Sequence, residues 1–160
     1  MKLRLIVITG PRNSGKTALA TCFELRGYKV KNVGNLLAEQ LERAGLLPYS
    51  RSALGAAYLR VFGMDRYCGT VVEAADPGVV LDGLRLPQAL SALRRSHPDL
   101  VHIARPRYDG PAAVVDASPE PYAAEISQLE STARHLIAWR RSVHELPSVV
   151  TEILGEEESI

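Results

Sequence analysis

The chain has 160 residues, of which 46% are apolar and 23% charged, the proportions of one globular domain with a sizeable core rather than of a disordered or fibrous chain. Nineteen Lys and Arg against eighteen Asp and Glu leave a net charge of +1, which excludes a broad basic field, so no nucleic-acid partner is expected. Two cysteines without metal-type spacing, Cys22 and Cys68, argue against a disulfide framework or zinc site and fit a cytoplasmic setting; no apolar run approaches the ~20 residues of a membrane span.

Residues 3–9 (LRLIVIT) are short, β-branched and apolar, and predict a central parallel strand buried on both faces. A helix is expected over 18–26, ending at Gly27, then an alternating strand over 28–33 (YKVKNV). Residues 36–44 predict an amphipathic helix with Leu37, Leu41 and Ala44 on one face. Helices over 52–62 and 66–75 follow, separated near Gly63. Val79, Val80 and Leu81 predict a third strand closing on Asp82-Gly83, and Leu86, Ala89, Leu90 and Leu93 recur at helical spacing.

Residues 100–104 (LVHIA) predict a fourth strand. Four prolines between 105 and 121 predict a loop, 122–132 a helix, and 135–139 (HLIAW) a last strand with Trp139 in the core. The terminal helix starts either with a capping box, Ser142 and Glu145, or at Pro147. An acidic tail, 156–160, is expected to be solvated. Strands alternating with helices imply a three-layer α/β/α domain over 1–155 on a five-stranded, mostly parallel sheet. In such sheets ligands sit at the carboxyl ends of the strands, here after Thr9, Val33, Leu81 and Ala104.

The segment Gly10-Pro11-Arg12-Asn13-Ser14-Gly15-Lys16-Thr17 matches G-x-x-x-x-G-K-[ST] between a buried strand and a helix. Its glycines allow a tight turn in which backbone N–H groups and the next helix N-terminus form an anion cradle. Candidate nucleotide-binding residues are therefore Gly10, Arg12, Asn13, Ser14, Gly15, Lys16, Thr17 and Ala18. Lys16 is expected to reach the β- and γ-phosphates of ATP, and Thr17 to ligate Mg²⁺. Arg12 either covers the γ-phosphate or faces solvent. No N-K-x-D element for reading a guanine base is present.

The run Val79-Val80-Leu81-Asp82-Gly83-Leu84-Arg85-Leu86-Pro87-Gln88-Ala89-Leu90 resembles the P-loop nucleoside-monophosphate kinase superfamily. It looks like the D-G-hydrophobic-R element of the deoxynucleoside-monophosphate and dephospho-CoA kinases, and shares P-Q-A with the adenylate kinases. Val33-Gly34-Asn35-Leu36-Leu37 is similar to the start of the acceptor-binding helix in these kinases. Asn35 there replaces an acid, and Ala38 stands where an arginine is common. Val101-His102-Ile103-Ala104-Arg105-Pro106 looks like the fourth strand and the arginine after it. The resemblance implies an acceptor-binding helical insert over 34–76 and a lid over 105–121, shortened and carrying Arg107 besides Arg105.

What the resemblance implies is transfer of phosphate from ATP to a small nucleotide acceptor, with a (deoxy)nucleoside monophosphate as first candidate. Dephospho-CoA, a hydroxymethyl-pyrimidine nucleotide or another small alcohol are alternatives, as is a regulatory module that binds ATP without transfer. Lys16, Asp82, Arg85 and Arg105 are the candidate catalytic residues, and Thr17 and Asp82 the candidate metal ligands. Asp82 either orients metal-bound water or takes the acceptor's proton; its bland alternative is a helix cap or a turn former. Arg85 either clamps an acceptor phosphate or lies on the surface of a first helical turn. Arg51, Arg60 and Arg66 lie in the insert, where one of them is a candidate replacement for the arginine missing at Ala38. Tyr58 and Tyr67 either stack on a base or pack in the core. His97, His102, His135 and His144 lack metal spacing. The sequence leaves the oligomeric state open, a homodimer included.

Overall fold

The computed structural model describes residues 3–11, 14–46, 50, 53–96, 98–103, 122–137 and 145–155. Five parallel strands form one sheet in the order β2-β3-β1-β4-β5. These are β1 (Ile6–Thr9), β2 (Lys29–Asn32), β3 (Val79–Asp82), β4 (Asp99–Ile103) and β5 (His135–Ile137). The helices are α1 (Lys16–Glu24), α2 (Val33–Arg43), α3 (Leu54–Phe62), α4 (Met64–Ala74), α5 (Pro87–Ala92), α6 (Ala123–Thr132) and α7 (Leu146–Leu154).

Alternation along the central strand divides the core in two. Leu5 and Val7 face one layer with side chains from α2 to α6; Ile6 and Ile8 face the other with α1 and α7. All four residues of β1 and of β3 are buried, which is why neither reads as polar on one face. The result is the three-layer architecture that the strand–helix alternation implies.

Several boundaries differ from the sequence expectation. Helix α1 begins at Lys16, two residues early, because the loop glycine Gly15 caps it in a left-handed turn at φ 97°. Helix α2 begins at Val33, which the strand pattern assigns to β2. The side chain of Asn32 accepts a hydrogen bond from the Asn35 N–H and so starts the helix there. Gly63, at φ 87°, separates α3 from α4. The last helix starts at Leu146 with Pro147 in its first turn, the second of the two expected starts. The expected lid (105–121), Trp139, Ser142, His97, His144 and the acidic tail lie outside the described residues.

Candidate active site at the carboxyl edge of the sheet

Two hydrogen bonds place the β3–α5 segment beside the phosphate loop. The Gly83 N–H donates to the Ile8 carbonyl at 3.0 Å, and the buried Thr9 hydroxyl donates to the Leu84 carbonyl at 2.7 Å. Gly83 takes φ 91°, a backbone that favours glycine, and this turn carries the chain from buried Asp82 to Arg85. The strand register already sets Ile8 opposite Asp82.

A cleft of about 230 Å³ lies at this edge. Lys16, Thr17, Asp82 and Arg85 all line it, so four of the residues singled out from sequence converge. The Lys16 ammonium donates to the Gly10 carbonyl at 2.9 Å and the Pro11 carbonyl at 2.6 Å, which orients it across the loop. Thr17 stands exposed in the first turn of α1, and Ser14 is buried beneath the loop. Ala18 is turned toward the α1–α7 core layer rather than toward the cleft. Arg12, Asn13, Arg51, Arg105 and Arg107 lie outside the described residues.

Asp82 is 3% exposed and ends β3; it does not cap a helix, since the residue before α5 is Leu86. Its Oδ2 accepts a hydrogen bond from the Asn32 side-chain amide at 3.4 Å. Asn32 thereby joins the end of β2, the start of α2 and the carboxylate. Arg85 precedes α5 instead of lying on its surface, and is half-buried in the cleft. Burial pushes the phenols of Tyr67 and Tyr122 up from their ordinary value, and the Arg85 guanidinium draws both partly back, so the three groups share one neighbourhood.

The insert behaves differently from expectation at several positions. Tyr58 is fully buried and its hydroxyl is bonded to Gln40 and Thr70, so it packs rather than stacks. Tyr67 is buried yet lines the cleft. Arg60 and Arg66 are exposed and do not line it; the Arg66 guanidinium sits 4.6 Å from the centre of the Phe62 ring. Val33, Gly34 and Leu37 reach the cleft, whereas Asn35 and Ala38 do not. Asn32, Gly55 and Tyr122 are cleft residues that the sequence reading passed over. The strand-end asparagine three residues before Asn35 is a capping signal that was legible for Asn32; nothing comparable marks Gly55 or Tyr122.

The donor set fits Mg²⁺ carried on a nucleotide: a hydroxyl at Thr17 and a carboxylate at Asp82, both hard oxygen ligands in one cleft. Among the described residues no group of three or more His, Cys, Asp or Glu side chains gathers for a metal held by protein alone. No described helix is long and apolar enough to cross a membrane.

No protein-family model matches the chain. A UPF0200 protein of Pyrobaculum aerophilum is 30% identical over 93 residues, which is 57% of this chain and 52% of that protein, so the match spans about half of the curated relative. Among solved structures, shikimate kinase from Acinetobacter baumannii in complex with shikimate is similar at a TM-score of 0.57 and 15% identity, over 98% of this chain and 96% of that one. Shikimate kinase from Aquifex aeolicus gives 0.58 and 16% over 94% and 96%. APS kinase from Mycobacterium tuberculosis gives 0.54 and 18% over 97% and 99%. At such identities the likeness is one of fold: the chain shares the three-layer α/β/α architecture of these kinase structures.

Proposed function

We propose that this chain transfers the γ-phosphate of ATP to a small acceptor held against Arg85. The observation that carries the reading is the convergence of Lys16, Thr17, Asp82 and Arg85 on one cleft at the carboxyl edge of the sheet. Phosphoryl transfer requires two anionic molecules held in line and the charge between them neutralised. The loop amides and the start of α1 are suited to a triphosphate, with the Lys16 ammonium beside it. Thr17 would hold Mg²⁺ directly and Asp82 would hold it through a bound water; the ion when bound supplies charge neutralisation at the phosphates.

In the proposed reaction an acceptor oxygen attacks the γ-phosphorus, and the bond from phosphorus to the bridging oxygen of ADP breaks. For a hydroxyl acceptor, Asp82 takes the proton released by the attacking oxygen; its low exposure keeps water from competing. A phosphate acceptor is already deprotonated and needs Arg85 more than a base. A (deoxy)nucleoside monophosphate is the first candidate, supported by the Asp82-Gly83-Leu84-Arg85 element. A small alcohol with an anionic group is the second reading, supported by the buried carboxylate of Asp82.

An enzyme-coupled assay of ADP release over nucleoside monophosphates, dephospho-CoA and shikimate tests this. At least one acceptor should raise ADP release well above the rate with ATP and Mg²⁺ alone. ATP binding with no acceptor-dependent rise would instead mark a regulatory nucleotide-binding module.

A further inference from the structure

Tyr122 stands immediately before α6 at φ 61° and ψ 33°, the one non-glycine with positive φ among the described residues. A bulky side chain in left-handed backbone is costly, and Tyr122 makes no side-chain cap to the helix that would offset it. Its ring reaches from α6 to α3 and lies on Gly55. A Cβ at that position would meet the tyrosine Oη at 3.0 Å and Cε2 at 3.1 Å, so α3 carries a glycine where the ring rests. The Oη is buried and has no hydrogen-bond partner among the described residues.

Two unfavourable features thus fall on one side chain: strained backbone and an unmet buried donor. Both residues of the contact, Tyr122 and Gly55, line the cleft with Asp82 and Arg85. Such features persist where the surrounding structure holds them for a use. The hydroxyl thus belongs to a cleft-lining side chain and lacks the partner that an oxygen of a bound ligand would supply.

We propose that Tyr122 is a specificity-determining residue for the acceptor, donating a hydrogen bond from its hydroxyl to an oxyanion-bearing acceptor whose charge Arg85 takes. The inference rests on the reading of this cleft as an acceptor site. The oxyanion is a phosphate or a carboxylate, chemistries that Arg85 and a phenol O–H receive alike.

The test is calorimetric binding of thymidine 5′-monophosphate and of shikimate to the full chain, with a non-hydrolysable ATP analogue and Mg²⁺ present. It is run on wild type, Tyr122→Phe and Tyr122→Gly, with thermal unfolding of each variant free of acceptor. Wild type should bind at least one probe, the phosphate or the carboxylate arm showing which oxyanion is used. Tyr122→Phe should weaken that binding about 10- to 150-fold, the usual worth of one hydrogen bond to a charged group, with an unfolding midpoint equal to or above wild type. Tyr122→Gly, which also loses the ring that packs on the core layer, should weaken binding at least as much as Tyr122→Phe. Unchanged affinity in Tyr122→Phe, a lowered midpoint in that variant, or binding of neither probe by wild type each overturns the proposal. Phosphate transfer is not read in these measurements. Binding through Tyr122 without turnover would refute the kinase reading alone, and turnover with an indifferent Tyr122→Phe would refute Tyr122 alone.

Discussion

Arg85 and His135 show how position decides what a charged side chain does. Arg85 leaves the β3 turn before α5 begins, so its guanidinium points into the cleft with Tyr67 and Tyr122. Arg85→Ala is expected to raise the acceptor KM by about 10- to 100-fold, the size of a lost hydrogen-bonded charge contact, while the ATP KM changes little; steady-state kinetics in both substrates checks this. At the opposite edge of the sheet, burial pulls the His135 imidazole below its ordinary value; Asp99 opposes this, and Arg134 and Arg4 add to the depression. A depressed folded-state value means that the unfolded chain binds the proton first as pH falls. Stability should therefore be full above about pH 6.5, the ordinary histidine value, and decline as pH drops through the lowered value. Unfolding midpoints of wild type and His135→Gln between pH 8 and 5 should converge at the alkaline end and separate at the acid end, the variant showing the shallower slope.

Helices α2, α3 and α4 are joined by a polar contact inside an apolar layer. The Tyr58 hydroxyl donates to Gln40 Oε1 and lies 3.0 Å from Thr70 Oγ1, while Gln40 also donates to Thr70 at 2.9 Å. The Tyr58 ring packs on Phe62 and Tyr67, so the same residue supports the tyrosine that faces the cleft. Tyr58→Phe keeps the ring but leaves Gln40 and Thr70 with one partner fewer. A loss of about 1–2 kcal/mol in chemical denaturation is expected from a buried bond of this kind. The existence of these helices was legible from their apolar spacing. Their junctions were less so: the β-branched Val33 reads as strand until the Asn32 cap is seen, and Lys16 and Thr17 read as loop until Gly15 is seen to turn into the helix.

At the scale of the domain, the sheet has a working edge and a locking edge. The carboxyl edge carries the glycine loop, Asp82 and Arg85. At the amino edge buried Asp99 receives Arg4 at 2.7 Å and Arg134 at 2.8 Å, and Arg4 also donates to the Ile153 carbonyl at the end of α7. Residues just before β1 and β5, the first residue of β4 and the last helix are thus tied together. Asp99→Ala should lower stability by about 1–3 kcal/mol, since two guanidinium groups lose their buried acceptor, and should speed amide exchange in α7 before that in β1. The parallel order and the site at its carboxyl edge follow from alternation and the glycine motif, because both are local patterns in the chain. The long-range contacts, Asp99 with Arg4 and Arg134 or Tyr122 with Gly55, carry no local pattern and emerge once the fold brings them together.

Phosphorus NMR of the chain with ATP, Mg²⁺ and each acceptor in turn reads the fate of the γ-phosphate directly. A new resonance on one acceptor, growing as ADP appears and absent with Lys16→Ala, is the expected result. Release of inorganic phosphate alone, or a spectrum of ATP that never changes with any acceptor, would contradict phosphate transfer by this cleft.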